Sequence, residues 1–359
     1  MKKIVIISPF QFLLQRGIER FVYSLANSLC EKYSIQIVIY VWGGKENNNW
    51  SEWHPNINIR HVPLIKYYQR PFSALFYNLW LGVDKPDAVF VNFLYHGEEY
   101  LIKRYPCYCI LHSPASQVPN RYAYIENIYK KFKNIRFVAV SDMVKREALA
   151  YIDSSKILVI KNGVDVNKFR CEALIRPSDE TLKIVTFSAL EERKGMQFVL
   201  KGIAELRNSD IRYDIYGDGP YKFELKQSIR DLSLTQNVFL HSSTKDVKEI
   251  LCKSDIFFLL SKGEAFPLSP LEAMSCGLPI VTSNHPPYDE FIDEKTGFMI
   301  SPKSTNQFVS AISKLTSASL RKKMGSAGRK LVEQQYSWSI VSEQYYEMIL
   351  DESLANKMN

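Results

Sequence analysis

The chain predicts an α/β protein built of two doubly wound, parallel sheets, and three observations carry that expectation. Short apolar runs recur along the whole sequence, several separated by stretches with helical periodicity. At 359 residues the chain exceeds a typical single domain. A polar, proline-containing break at residues 171–181 is followed at once by a fresh apolar run. A domain linker is expected there, with a first domain over residues 1–172 and a second over 180–335. The remainder, 336–359, forms a terminal segment whose aromatic and aliphatic residues from Trp338 to about Leu354 have helical spacing.

Taken in order, Lys3–Ile7 is continuously apolar, as a buried parallel strand is. A loop over Ser8–Gly17 leads to a helix in which Ile18, Phe21, Val22, Leu25, Ala26 and Leu29 share one face. Further strands are expected at Ile35–Val41, Ala88–Phe93, Tyr108–Leu111, Phe137–Ser141 and Ile157–Ile160. The second series runs Lys183–Phe187, Ile211–Tyr216, Val238–Leu240, Ile256–Leu260, Ile280–Thr282 and Phe298–Ile300. Between two of these lies the stretch 261–284, which reads as a loop and a short helix with its punctuation. Ser269 suits the N-cap, Pro270 the first helical position, and Glu272 completes a capping box. Gly277 can close the helix in a left-handed conformation and Pro279 stops it. Glu264 and Glu272 thereby flank the helix start, at a strand's C-terminal end where open α/β sheets bind ligands. The helix N-terminus there suits a phosphate, whereas capping alone accounts for Glu272.

The net charge of +8 is unevenly distributed: residues 1–170 hold 23 basic against 13 acidic side chains, and the rest 23 against 25. The first half therefore suits an anionic partner. An anionic membrane surface carrying a lipid-linked acceptor is preferred to nucleic acid, for which no binding motif is present. No apolar run approaches the roughly 18–20 residues that span a bilayer, and the start, Met-Lys-Lys-Ile-Val-Ile-Ile, reads as a strand rather than a signal peptide. Six cysteines (30, 107, 109, 171, 252 and 276) have no metal-ligand spacing and are expected as reduced core thiols of a cytosolic protein. Gly217-Asp-Gly-Pro220 reads as a tight turn and lacks the third glycine of a dinucleotide fingerprint, which excludes NAD. The segment Leu64–Trp80, in which Phe72, Leu75, Phe76, Leu79 and Trp80 form a helical stripe, reads as core packing, with a face toward the acceptor or membrane as the alternative.

Glu264 and Glu272, inside E-A-F-P-L-S-P-L-E-A-M-S-C-G-L-P, resemble the E-x7-E signature of retaining GT-B glycosyltransferases, family 4 (glycosyl transferases group 1) in particular. The resemblance covers nearly the whole chain and is densest from 183 to 300. It implies two Rossmann-like domains facing a cleft, with the terminal helix crossing back to the first domain. It places Glu264 by the donor sugar near the reacting carbon and Glu272 on the nucleotide ribose, with Phe266, Leu268 and Ser269 in the same donor-binding run. Gln15-Arg16-Gly17-Ile18-Glu19-Arg20 is similar to the family's G-G-I-E-R, whose backbone approaches the donor diphosphate; Gly17 matches and Arg16 replaces a glycine. His112, closing an apolar strand, matches a histidine that hydrogen-bonds the sugar, and His241 falls where the backbone meets the base. Glu290, Val140-Ser141-Asp142 and Lys161-Asn-Gly-Val-Asp165 with Phe169 hold the same register.

The main departure is at Ser188-Ala-Leu-Glu-Glu-Arg-Lys-Gly195, in the place of the family's G-R-L-x-x-x-K-G. Lys194 and Gly195 match, but the Gly-Arg pair is here Ser188-Ala189. Two cations ordinarily neutralise the departing diphosphate, so Arg193 or Arg16 is expected to replace the missing arginine. The implied function is retaining transfer of a hexose-type sugar from a UDP- or GDP-linked donor to an acceptor hydroxyl on a glycan or lipid. Such an enzyme would act in cell-surface polysaccharide or glycolipid assembly, in the cytoplasm or peripherally on the inner face of the membrane. With no Asp-x-Asp in the chain, no metal and no cofactor are expected. The alternatives are a non-catalytic GT-B subunit that binds a sugar nucleotide or partner enzyme and, less favoured for want of extra insertions, a glycogen- or sucrose-type enzyme.

Overall fold

The computed structural model describes residues 1–8, 17–42, 53–62, 73–92, 104–132, 135–172, 181–206 and 210–351. By contact the chain divides into two units, Met1–Gly163 with Trp338–Asn359, and Val164–Ser337.

In the first unit the chain runs β1 (Lys2–Ser8), α1 (Gly17–Lys32), β2 (Ile35–Trp42), β3 (Ile57–Val62), α2 (Ser73–Asp84), β4 (Ala88–Asn92), β5 (Cys107–Leu111), α3 (Pro119–Lys131), β6 (Arg136–Ala139), α4 (Asp142–Ala148) and β7 (Ile157–Val159). All seven strands are parallel, in the order β3-β2-β1-β4-β5-β6-β7. The central strands β4, β5 and β6 are buried along their full length, as a sheet covered on both faces requires. The face of α1 expected from periodicity buries Phe21, Val22, Leu25, Ala26 and Leu29. The terminal helix belongs to this unit and packs on α1: the Ser28 hydroxyl bonds Ser342 Oγ at 2.9 Å, and Phe21 meets Trp338 and Tyr345 edge-on.

The second unit contains β8 (Leu182–Phe187), α5 (Met196–Leu206), β9 (Ile211–Tyr216), α6 (Lys222–Asp231), β10 (Val238–His241), α7 (Val247–Cys252), β11 (Ile256–Leu259), α8 (Leu268–Ser275), β12 (Ile280–Ser283), β13 (Gly297–Ile300), α9 (Thr305–Leu315) and α10 (Ala318–Gln335). Its six parallel strands lie in the order β10-β9-β8-β11-β12-β13. A core of Ile184, Leu200, Ile203, Tyr213, Ile215, Phe258 and Leu315, among others, fills the space beneath the helices. After Ser337 the chain re-enters the first unit as α11 (Trp338–Leu350).

Several expectations change. Residues 164–172 pack with the second unit rather than the first, because the Phe169 carbonyl accepts from Ser275 Oγ at 2.9 Å and from Arg329 at 2.7 Å. The cysteines are not all reduced thiols: Cys171 and Cys252 form a disulfide, 81 residues apart in sequence with Cα atoms 5.6 Å apart. That pairing is tertiary and leaves no local pattern to read. Strand β3, Ile-Asn-Ile-Arg-His-Val, was not expected; as an edge strand it carries polar residues on alternate positions and lacks a continuous apolar run. In the aromatic stripe Leu79 is 59% exposed, so it does not pack in a core, whereas Trp80 meets Tyr40 edge-on.

Candidate active site

The second sheet reverses direction between β8 and β11: the chain steps outward from β8 to β10, then returns to the other side of β8. Such a switch point opens a crevice beyond the strands' C-terminal ends. The two loops that border it, Ser188–Gly195 and 260–267, carry the cations and the first glutamate singled out from sequence. Their backbones are tied together by the Lys262 N–H donating to the Arg193 carbonyl at 2.9 Å. Gly195 ends a 3-10 turn over Glu192–Lys194 with φ +77°. A Cβ there would lie 2.2 Å from the Leu260 carbonyl oxygen, so both the conformation and the close approach demand glycine.

That tie aims Lys194 at Glu264. Lys194 Nζ lies 2.6 Å from Glu264 Oε1, with the two side chains only 13% and 12% exposed. Arg193 reaches the same oxygen at 3.3 Å and holds Glu191 Oε2 through its Nε at 2.7 Å, while remaining 45% exposed. Behind Glu264 the hydroxyls of Ser261 and Tyr288 are hydrogen-bonded, and Ser283 Oγ donates to the Ser261 carbonyl at 2.5 Å. Burial, then the Glu264 charge, push the Tyr288 phenol far above its ordinary pKa, so it stays neutral. Nothing in the local sequence signals Tyr288; it arrives from the loop after β12.

The Ser188–Gly195 loop is braced by Gly217-Asp-Gly-Pro220, which is more than a tight turn. A Cβ on Gly217 would lie 1.9 Å from the Ser188 carbonyl oxygen, and one on Gly219 2.3 Å from that of Leu190. The Leu190 N–H donates to the Asp218 carbonyl at 3.0 Å and the Tyr221 N–H to that of Leu190 at 2.9 Å. The Asp218 carboxylate accepts from the Ser243 N–H and hydroxyl, both at 2.9 Å, and these bonds with Lys222 hold its pKa below the usual value. Ala189, in the place of the family arginine, is exposed.

His241 ends β10 in a row across three strands. Its ring stacks on Tyr216 at 4.3 Å and Tyr216 on Phe187 at 5.0 Å, while its Nε2 meets Asp214 Oδ1 at 2.6 Å. The capping box expected at Ser269 is not formed: α8 begins at Leu268 after Pro267, with no side-chain cap. Pro270 is accommodated because first-turn N–H groups have no intrahelical acceptor. Glu272 therefore does not owe its place to capping; it is a buried carboxylate, 4% exposed, in the body of the helix. The far end follows expectation, with Gly277 at φ +77° and the Leu278 N–H donating to Ala273 at 3.0 Å. Phe266 is buried against Phe291 and Tyr336, while Leu268 and Ser269 stay partly exposed in the first turn.

In the first unit, Gly17 opens α1, exposed, with nothing near the position of a Cβ; Arg16 lies outside the described residues. His112 follows β5. Asn92 at the end of β4 donates its amide to the Ile7 carbonyl at 3.2 Å, which leaves its Oδ1 to accept from His112 Nε2 at 2.8 Å. Phe21 packs on the imidazole at 4.8 Å. Burial lowers the imidazole pKa to about 3, so it is neutral at physiological pH.

Two parallel-sheet α/β units of this kind define a two-domain, Rossmann-like GT-B fold. The solved structure of Anabaena HepE in complex with UDP and glucose matches with a TM-score of 0.81 at 18% identity, covering 98% of this chain and 100% of that one. Sucrose-phosphate synthase from Thermosynechococcus elongatus matches with a TM-score of 0.83 at 15% identity, covering 99% and 100%. The family model for glycosyl transferases group 1 matches residues 174–331, and that for glycosyltransferase family 4 matches residues 15–168. The chain belongs to the group 1, family 4 glycosyltransferases. Among curated relatives, the UDP-Gal:alpha-D-GlcNAc-diphosphoundecaprenol alpha-1,3-galactosyltransferase of Escherichia coli is 32% identical over 186 residues, 46% of this chain and 46% of that protein. The chain spans about half the length of the first curated relatives it matches.

Proposed function

We propose that this protein transfers a hexose-type sugar from a UDP- or GDP-linked donor to an acceptor hydroxyl with retention of anomeric configuration and without a metal. The observation that supports it most is the ion cluster at the switch point, where Lys194 and Arg193 converge on one oxygen of Glu264. An incoming diphosphate competes for the same N–H donors and takes the two cations, leaving Glu264 to orient the sugar. Fixed cations then stabilise the charge that develops on the leaving group, the role a divalent ion plays elsewhere. On this reading Arg193 supplies the second cation that Ala189 does not. A departing phosphate oxygen accepts the acceptor's proton as its hydroxyl attacks the same face. Glu272 binds the ribose, Leu268 and Ser269 lie along the donor, the backbone at His241 meets the base, and neutral His112 of the first unit hydrogen-bonds the sugar.

The acceptor is a glycan or lipid-linked sugar in cell-surface polysaccharide or glycolipid assembly. The Escherichia coli relative, whose name specifies a UDP-galactose donor and a diphosphoundecaprenol-linked acceptor, supports that choice, and the basic first half suits an anionic membrane. The deciding experiment is release of nucleoside diphosphate from a panel of UDP- and GDP-sugars, in EDTA and with excess Mg2+. Slow release from one donor, unchanged by EDTA and reduced about 10²–10³-fold in Lys194→Ala, is expected. Binding of a sugar nucleotide with no release from any donor would point instead to a non-catalytic subunit, which the Ser188-Ala189 departure also fits.

A further inference from the structure

Three of the six cysteines meet at one place in the second unit. Cys171, Cys252 and Cys276 come from distant parts of the sequence, yet their sulfurs all lie within 4.8 Å of one another. Cys30, Cys107 and Cys109 are buried in the first unit. Cys171 and Cys252 share a disulfide and Cys276 stands outside it.

The three segments are held together by more than that bond. Cys252 ends α7. Cys276 follows α8, its N–H donating to the Glu272 backbone carbonyl at 3.1 Å just before the turn at Gly277. Cys171 lies two residues beyond Phe169, whose carbonyl accepts from both Ser275 Oγ and Arg329, while Arg329 also bonds the Val166 carbonyl at 2.9 Å. Opening the disulfide therefore leaves at least Cys171 and Cys276 beside each other.

We propose that, once the Cys171–Cys252 bond is reduced, Cys171, Cys252 and Cys276 form a three-thiolate site for a soft divalent cation such as Zn2+. A dithiol reductant opens the bond, giving two protein thiols and leaving as its own cyclic disulfide. The cation then displaces three protons from three thiols and keeps water in the fourth position. Zinc–sulfur bonds of about 2.3 Å put the sulfurs of a tetrahedral site roughly 3.8 Å apart; on reduction the Cys171 and Cys252 sulfurs separate toward that spacing, while the approach to Cys276, at most 4.8 Å now, closes to it. The complex carries one net negative charge, which the Arg329 guanidinium, bonded to the backbone before both Cys171 and Cys276, helps to offset. Disulfide and metal are thus alternative closures of one site, but only the metal engages Cys276 and with it the C-terminal end of the helix that bears Glu272.

The test uses the full chain, reduced with dithiothreitol under nitrogen, freed of reductant and titrated with Zn2+ against a chromophoric chelator. Thiols are mapped in parallel by iodoacetamide alkylation and mass spectrometry. One Zn2+ per chain is expected, with the alkylation of Cys171, Cys252 and Cys276 slowed on adding Zn2+ and no uptake by the oxidised protein. Cys276→Ser should weaken binding at least about tenfold, and Cys107→Ser should leave it unchanged. No uptake by the reduced chain, zinc-dependent protection of other thiols, or equal affinity in Cys276→Ser would overturn the proposal. The mapping needs no variant, so a Cys276→Ser protein that fails to fold leaves the test intact. Neither readout involves a sugar donor, which separates this result from that of the transfer assay.

Discussion

Glu264 is contacted by two neighbouring cations of unequal standing. Lys194 is nearly buried and close, while Arg193 is half exposed, more distant and shared with Glu191. Lys194 is therefore the fixed element and Arg193 the adaptable one. If Arg193 supplies the second cation, Arg193→Ala should lower kcat about tenfold or more. Ala189 is exposed, so Ala189→Arg can be placed without disturbing the core and should restore most of that loss. Steady-state kinetics on the single and double variants decide it: an Arg193→Ala enzyme at wild-type rate ends the assignment. His112 carries a pH prediction. Unfolded, its imidazole takes up a proton below about 6.5, whereas folded it stays neutral down to about 3. The unfolded state thus binds more protons in that window, and stability falls as pH drops through it. His112→Gln should flatten this acid limb in denaturation curves taken between pH 6 and 4; an unchanged slope would contradict the burial of a neutral ring.

At the scale of elements, the placement of Lys194 depends on one glycine. Gly195→Ala meets both a left-handed φ and the Leu260 carbonyl, which together cost about 1–3 kcal/mol or more. The thermal transition should fall by at least about 3 °C, and activity should drop further than stability alone explains, because the turn that aims Lys194 is displaced. A variant with native melting and native rate would mean that the turn is slack. The helix of Glu272 shows how far local reading reaches. Its closure at Gly277 was legible because an αL residue followed by proline has few other uses. Its start was not, since Ser269 and Pro270 fit either the cap or the first turn, and packing placed them in the turn. Gly217 and Gly219 show the same limit: their glycines are required by a loop some 30 residues away in sequence, which no local turn pattern records.

For the whole molecule, the uneven charge is the property with the plainest consequence. By unit the excess is smaller than by half, with 22 basic against 16 acidic side chains in the first unit and 24 against 22 in the second, and association with anionic vesicles should be visible at low salt and lost as ionic strength rises. Co-sedimentation with phosphatidylserine-containing and neutral liposomes measures this, and equal recovery on both kinds would remove the membrane from the reading. The sequence by itself determined the class of fold and the two series of strands, because apolar periodicity and turn chemistry are written over a few neighbouring residues, whereas Glu264, Lys194 and Glu272 were singled out by the resemblance of their motifs. Tertiary structure alone decided that Arg193 shares an oxygen with Lys194, that Tyr288 lies behind Glu264, that residues 164–172 join the second unit, and that three distant cysteines meet. Each of these is a contact between segments far apart along the chain, and only the order of strands in the sheet brings such segments together.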